Sequence, residues 1–301
     1  MYLRRMKTQE RDATVFRTIA ELHDYLAKAR GRGDTVGCVP TMGYLHDGHA
    51  SLIREAAQHH KVVVVSIFVN PTQFGPSEDF ERYPRDFERD QAIVADAGGT
   101  AIFFPSVTEM YPSGARSTIH IDGVTEMLEG AHRPTHFDGV ATVVSRLFEA
   151  MLPDEAFFGQ KDYQQTLVVK RLVATSSIDV VNRVTVTVLA TQRESDGLAR
   201  SSRNVYLSAE DRSDAPVIFR ALLRAQNAFR NGERTADALE SLMREELATV
   251  PRLEVEYATA VDAITLRHAD HYAQGQSIVL LIAARLGSTR LIDNVVIESK
   301  A

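Results

Sequence analysis

The nine residues KVVVVSIFV, Lys61–Val69, constrain this chain more than any other segment. Four consecutive valines are at home in an extended backbone, and an apolar run without polar alternation has no face to offer water. The run therefore predicts a strand buried on both faces, in the middle of a parallel sheet. Thr35–Pro40 before it and Thr100–Phe104 after it read as further strands. Between them, His49–His60 and Asp86–Ala97 read as helices, the second closed by Gly98 and Gly99. Strand, helix, strand, helix, strand predicts an α/β fold with a doubly wound parallel sheet.

The flanking segments extend the pattern. Residues 14–30 have helical spacing, with Val15, Ile19, Leu22 and Leu26 on one face. Thr118–Ile121 reads as a short strand, and Ala156–Phe158 as another. The segment His136–Met151 reads as a helix with Val140, Val143, Val144, Leu147, Phe148 and Met151 on its core face, stopped by Pro153. Tyr163–Leu172 reads as a helix and Val180–Leu189 as a strand. After Val188 the composition shifts to Gln192–Asn204, a polar loop rich in Ser and Arg around Gly197. Helices at Ala209–Asn231 and Thr235–Glu246 are followed by extended runs at Leu253–Ala260, Ser277–Leu286 and Arg290–Glu298. The expected organisation is a Rossmann-like domain over residues 1–189 and a second, smaller α+β domain over 190–301.

Charge and cysteine content narrow the function. With 34 basic and 40 acidic residues the net charge is -6, so nothing calls for nucleic acid as a partner. Cys38 is the single cysteine, which excludes an intrachain disulfide and a cysteine-rich zinc site and suits a cytoplasmic location. The opening MYLRRMKTQERDATVF lacks the apolar core of a signal peptide, and the longest apolar runs are too short to span a bilayer, so no membrane role is expected. The chain has no G-x-x-x-x-G-K-[ST], no G-x-G-x-x-G after a strand and no G-x-S-x-G.

The segment PTMGYLHDGH, Pro40–His49, carries the chemistry. It lies where a strand ends and a helix begins, and ligands of open parallel sheets gather at the carboxyl ends of strands. The helix mouth offers unpaired N–H groups and a positive dipole end, which favour a phosphate. His46 and His49 are three apart and can face one ligand, while Gly48 lets backbone come close. Two imidazoles there can donate to charge developing on phosphoryl oxygens. A Gly-rich turn with two exposed histidines, or a metal pair, are the alternatives for H-x-G-H on its own. His59–His60–Lys61 reads as a solvated helix end, where cations suit the dipole.

The string PTMGYLHDGH resembles the signature of the pantothenate synthetase family, and its H-x-G-H resembles the HIGH-type motif of nucleotidyltransferases. The resemblance continues through NPTQFGPSEDFERYPR, FFPSVTEMYPSG, LEGAHRPTHFDGVATVV, PDEAFFGQKDYQQ and RESDGLARSSRNVYLS. These six ordered blocks cover most of residues 40–208. Two positions depart from the family pattern. Thr135 stands where the family usually has Gly, and Arg200 stands where a small or apolar residue usually precedes SSRN.

The resemblance implies an ATP-dependent ligase with magnesium, acting as a homodimer whose small domain closes over ATP. Pantoate would be adenylated and the adenylate attacked by β-alanine, giving pantothenate, AMP and pyrophosphate. It assigns His46, His49 and Lys161 to the phosphates, and Ser201, Ser202 and Arg203 to a pyrophosphate-gripping loop with Arg133 nearby. Gly48, Gly159 and Asp162 are implied at the nucleotide, Asp162 near the ribose. Gln73 and Gln165 are implied as pantoate binders, with Met42 as an apolar wall and Asn70 as support. Asp90 is implied as a magnesium-linked or nucleotide contact. A related nucleotidyltransferase with another substrate, and a non-catalytic nucleotide-binding protein, are the competing functions.

Overall fold

The computed structural model describes residues 13–76 and 78–298, so the reading of residues 1–12 as leaderless lies outside the described part. In chain order the first elements are β1 Thr14–Phe16, α1 Ile19–Gly31, β2 Val36–Thr41, α2 Asp47–His59, β3 Val62–Ile67, α3 Phe87–Asp96 and β4 Ala101–Phe103. Next come α4 Val107–Met110, α5 Glu129–His132, α6 His136–Met151, β5 Glu155–Gly159, α7 Tyr163–Thr175, α8 Asp179–Asn182 and β6 Thr185–Leu189. The chain closes with α9 Ala209–Asp214, α10 Val217–Arg230, α11 Ala236–Leu247, β7 Leu253–Asp262, β8 Ile278–Leu286 and β9 Thr289–Ile297. Short 3-10 turns lie at Pro71–Gln73, Gln160–Asp162 and Ser202–Tyr206. The described residues fold as two compact units: one runs to Ile119 and adds 138–158 and 172–187, and the other comprises 120–137, 159–171 and 188 onward.

In the first unit the sheet order is β1-β4-β3-β2-β5-β6. β3 pairs in parallel with β2 and β4, and all of its residues are buried, as an unbroken apolar strand requires. From β2 the order runs outward through β3 and β4 and then reverses to β5 on β2's other side. That reversal is the topological switch point at which such sheets bind ligands. α6 buries Val140, Val144, Leu147, Phe148 and Met151.

The second unit carries the antiparallel sheet β7-β8-β9. β8 lies in its middle, and its run of apolar residues packs with α10 and α11 into one core that includes Leu222, Phe229, Met243, Leu280 and Ile282. The fold is thus α/β, a Rossmann-like parallel sheet with a smaller antiparallel sheet and helices beside it in the chain. No helix among the described residues is long and apolar enough to cross a membrane.

The structure corrects five local expectations, the first being Val180–Leu189, where Asp179–Asn182 is the helix α8 and only Thr185–Leu189 is a strand. Residues 14–30 are not one helix. Thr18 caps α1 with Glu21 closing the capping box, and Thr14–Phe16 pairs with β4 instead. Thr118–Ile121 forms no strand, because the Thr142 hydroxyl accepts the N–H groups of Thr118 and Ile119. The helix expected over 209–231 breaks at Pro216, the residue that leads into α10. His60 is not solvated. Its side chain is 8% exposed, donates from Nε2 to the Glu155 carboxylate at 3.0 Å, and bonds Thr35 through Nδ1 at 3.0 Å.

Candidate functional site

In the first unit the site grows from the carboxyl end of β2. Gly43 (φ 87°) and Tyr44 (φ 51°) are consecutive left-handed residues that turn the chain sharply toward α2. Such a turn leaves two successive N–H groups aimed inward. Asp90, on α3, takes both: its carboxylate accepts from Tyr44 at 2.7 Å and from Leu45 at 2.6 Å. A side chain on Gly43 would meet Ile67 at 2.9 Å and the Asp90 carboxylate at 3.0 Å, so glycine is required there twice over. Burial pushes the Asp90 carboxyl above its ordinary range, with the two N–H bonds opposing.

The two motif histidines are ordered by the helix mouth itself. His46 is the N-cap of α2, and its Nδ1 accepts the Gly48 N–H at 3.1 Å. His49 Nδ1 accepts the His46 N–H at 3.3 Å. A ring that accepts on Nδ1 is neutral and carries its proton on Nε2. Both rings, with centroids 4.1 Å apart, thus use Nδ1 on a main-chain N–H, the arrangement of the same neutral tautomer.

The same unit holds an amide cluster. Gln73 donates to the Met42 sulfur at 3.1 Å, and its Oε1 accepts from Asn70 at 3.2 Å. Asn70, 1% exposed, also donates to the Gly139 carbonyl and accepts from the Tyr111 hydroxyl at 2.7 Å. Its amide is consumed by protein partners, so it holds Gln73 in place and is sealed from the surface.

In the second unit a cavity is lined by Arg133, His136, Lys161, Asp162, Gln165 and Asp293, among others. Lys161 Nζ is 3.6 Å from the Asp162 carboxylate, and Arg133 Nη1 is 3.1 Å from His136 Nε2. Gly159 opens the Gln160–Asp162 turn and has open space where a side chain would stand. Ser201 caps the Ser202–Tyr206 turn by accepting the Arg203 N–H at 3.2 Å, and Ser202 is buried. The structure thus gathers His46, His49, Met42, Gln73, Asn70 and Asp90 in one unit. It gathers Arg133, Lys161, Asp162 and Gln165 around one cavity in the other, with Ser201–Arg203 on a turn of the same unit.

The sequence pattern described as pantoate-beta-alanine ligase matches residues 14–296. The chain belongs to the pantoate-beta-alanine ligase family. As a member it is a ligase that joins pantoate to β-alanine. The pantothenate synthetase of Moorella thermoacetica is 49% identical over 284 residues, covering 94% of this chain and 98% of that protein. The crystal structure of pantothenate synthetase from Thermus thermophilus matches with a TM-score of 0.86 at 45% identity, covering 94% of this chain and 98% of that one. A pantoate-beta-alanine ligase from Francisella tularensis, complexed with beta-gamma ATP and beta-alanine, matches with a TM-score of 0.75 at 31% identity and covers 94% and 97%.

For this pantoate-beta-alanine ligase, Asp90 does not fit the metal role expected of it. Both its oxygens are engaged by main-chain N–H groups, the residue is 1% exposed, and it belongs to no group of three potential ligands among the described residues. The one grouping of three potential ligands among those residues, His120, Asp122 and Glu126, is exposed and sits elsewhere in the chain.

Sequence reasoning also missed a buried network beside the cavity. Arg290 forks onto Glu129 with two bonds of 2.7 Å, and the Tyr257 hydroxyl donates to Glu129 at 2.6 Å. Burial alone would raise Glu129, but the Arg290 bonds and charge and the Tyr257 hydroxyl overcome it and hold the carboxyl at about 2. Gln164, next to the expected Gln165, is buried and donates to the Val124 and Met127 carbonyls at 2.8 Å. The signal available was weak: LEGAHRP shows one Glu, and its partners Tyr257 and Arg290 lie 128 and 161 residues away.

Proposed function

We propose that this ligase works in two steps through a pantoyl adenylate. A pantoate carboxylate oxygen attacks the α-phosphorus of ATP, and pyrophosphate leaves with the bonding electron pair. The amine of β-alanine then attacks the acyl carbon, AMP leaves, and the amine gives up a proton. Neither step needs a protein nucleophile; both need positioning and charge neutralisation.

The observation that carries this proposal is the placement of His46 and His49 at the mouth of α2, where each Nδ1 accepts a main-chain N–H. Two imidazoles at a helix mouth suit phosphoryl oxygens, which gain charge during attack. Lys161 adds a point charge, and Ser201, Ser202 and Arg203, with Arg133, hold the departing pyrophosphate. Gly48 and Gly159 let main chain approach the nucleotide, and Asp162 takes the ribose. Gln73 and Gln165 grip pantoate oxygens without adding charge, and Met42 packs on its methyl groups. Magnesium enters bound to ATP and neutralises its phosphates; no ligand for it is assigned to the chain. A cytoplasmic homodimer completes the proposal, and sedimentation would check the assembly.

The test is pyrophosphate–ATP exchange with pantoate present, β-alanine absent and magnesium supplied. Exchange that depends on pantoate is expected. Folded protein that makes pantothenate when β-alanine is added, yet shows no exchange without it, would overturn the adenylate scheme.

A further inference from the structure

Two consecutive polar residues are buried on β9, Asp293 at 4% exposure and Asn294 at 1%. Burial of a carboxylate and an amide is costly unless every polar atom is matched. Their partners account for both residues. Asn294 Nδ2 donates to the main-chain carbonyls of Gln160 at 3.0 Å and Lys161 at 2.9 Å, and its Oδ1 accepts from the Gln160 side chain at 3.3 Å. The short turn that bears Lys161 is therefore pinned at three points by one amide.

Asp293 serves a different segment. Its carboxylate receives both terminal nitrogens of Arg193, one at 2.9 Å, while Arg193 also donates to the Asn294 carbonyl at 3.3 Å. Arg193 is the root of the segment that leads into Ser201–Arg203. It donates to the Gly197 carbonyl at 3.1 Å, bridges Ala199, and lies 3.7 Å over the Phe219 ring. The Asn294 N–H closes the pair by donating to Asp293 at 2.7 Å. β9 also packs against both the Gln160–Asp162 and the Ser202–Tyr206 turns.

We infer that Asp293 and Asn294 are positioning residues that lock two phosphate-binding elements to one strand: Asn294 through the Lys161 main chain, and Asp293 through Arg193 at the root of the Ser201–Arg203 loop. The inference rests on the phosphate roles proposed above for Lys161 and Arg203. Neither residue is required to touch substrate. Each removes freedom from a group that does, and misplacement by an ångström at such a group costs about 10²-fold in rate.

Two mutant cycles test it, read by the ATP and pantoate dependence of pyrophosphate exchange. Asn294→Ala is expected to lower kcat/KM for ATP by about 10–100-fold with the pantoate KM unchanged. On a Lys161→Ala background the same substitution is expected to add less than about threefold, since it acts through Lys161. Arg193→Lys, which keeps the charge but loses the fork, is expected to behave likewise toward Arg203→Ala. Losses that multiply in both cycles, or that fall equally on ATP and pantoate, overturn the positioning roles. If Asn294→Ala shows no cooperative unfolding transition, the Arg193 cycle decides alone. A Lys161→Ala or Arg203→Ala enzyme with wild-type exchange would instead overturn the phosphate roles themselves, a separate failure.

Discussion

His49 accepts on Nδ1 the main-chain N–H of His46, while His46 accepts on its own Nδ1 the N–H of Gly48. The pair thus does two jobs, capping α2 and fixing which nitrogen of each ring carries the proton. Protonating either ring would turn its accepted N–H into a clash of two donors.

The two jobs separate in His46→Asn. Asparagine is a good N-cap, so helix stability should stay within about 0.5 kcal/mol of wild type. The Nε2–H donor is gone, so adenylate formation should slow about 10²–10³-fold. Single-turnover adenylate formation and thermal unfolding, measured on the same protein, check both halves.

Asp90→Asn leaves one oxygen where two N–H groups need acceptors. The Tyr44 or Leu45 N–H is left facing an amide NH₂, which should cost about 1–3 kcal/mol in a urea titration. The magnesium dependence of exchange should not move. A tenfold shift in that dependence would restore Asp90 as a metal contact.

Gly139→Ala places a Cβ 2.3 Å from the Thr72 carbonyl oxygen. Backbone must shift to admit it, at about 1–3 kcal/mol, and Thr72 and Gln73 are what shifts. The pantoate KM should rise while the ATP KM holds, which initial-rate kinetics would show.

Thr135 has φ 69°, where a β-branched side chain is strained. Relief of about 1–2 kcal/mol on Thr135→Gly is offset in part by the extra entropy of glycine in the unfolded chain. A net gain of roughly 0.5–1 kcal/mol in denaturant stability is expected.

Glu129 has its carboxyl held at about 2 against an ordinary 4.5. Between those values the unfolded chain binds more protons than the folded one, so stability rises with pH across the window. The contribution, about 3 kcal/mol, is fully present above pH 4.5 and lost as pH falls toward 2. Glu129→Gln should be less stable at pH 7 and should flatten the unfolding free energy between pH 3 and 5.

The parts of the fold legible in sequence were those written by burial. β3 is an unbroken apolar run, and α6 spans His136–Met151 because its apolar spacing fills one face and Pro153 follows. What escaped was set by partners remote in the chain. His60 looks like an exposed helix end until Glu155, 95 residues on, is placed beside it. Asp293 and Asn294 are hidden within LIDNVVI, and their meaning comes from Arg193 and Lys161, 100 and 133 residues away. β1 escaped because three residues carry no period of their own, and only pairing with β4 makes them a strand.

The fork from Arg290 to Glu129 joins segments 161 residues apart inside one unit. A gene fragment beginning at residue 188 would encode Arg290 with Glu256 at 2.8 Å, but without Glu129, the buried carboxylate that the guanidinium forks onto and that accepts the Tyr257 hydroxyl. Such a piece would lose half of its buried arginine's partners, so recombination that keeps the network whole carries the Glu129 segment along.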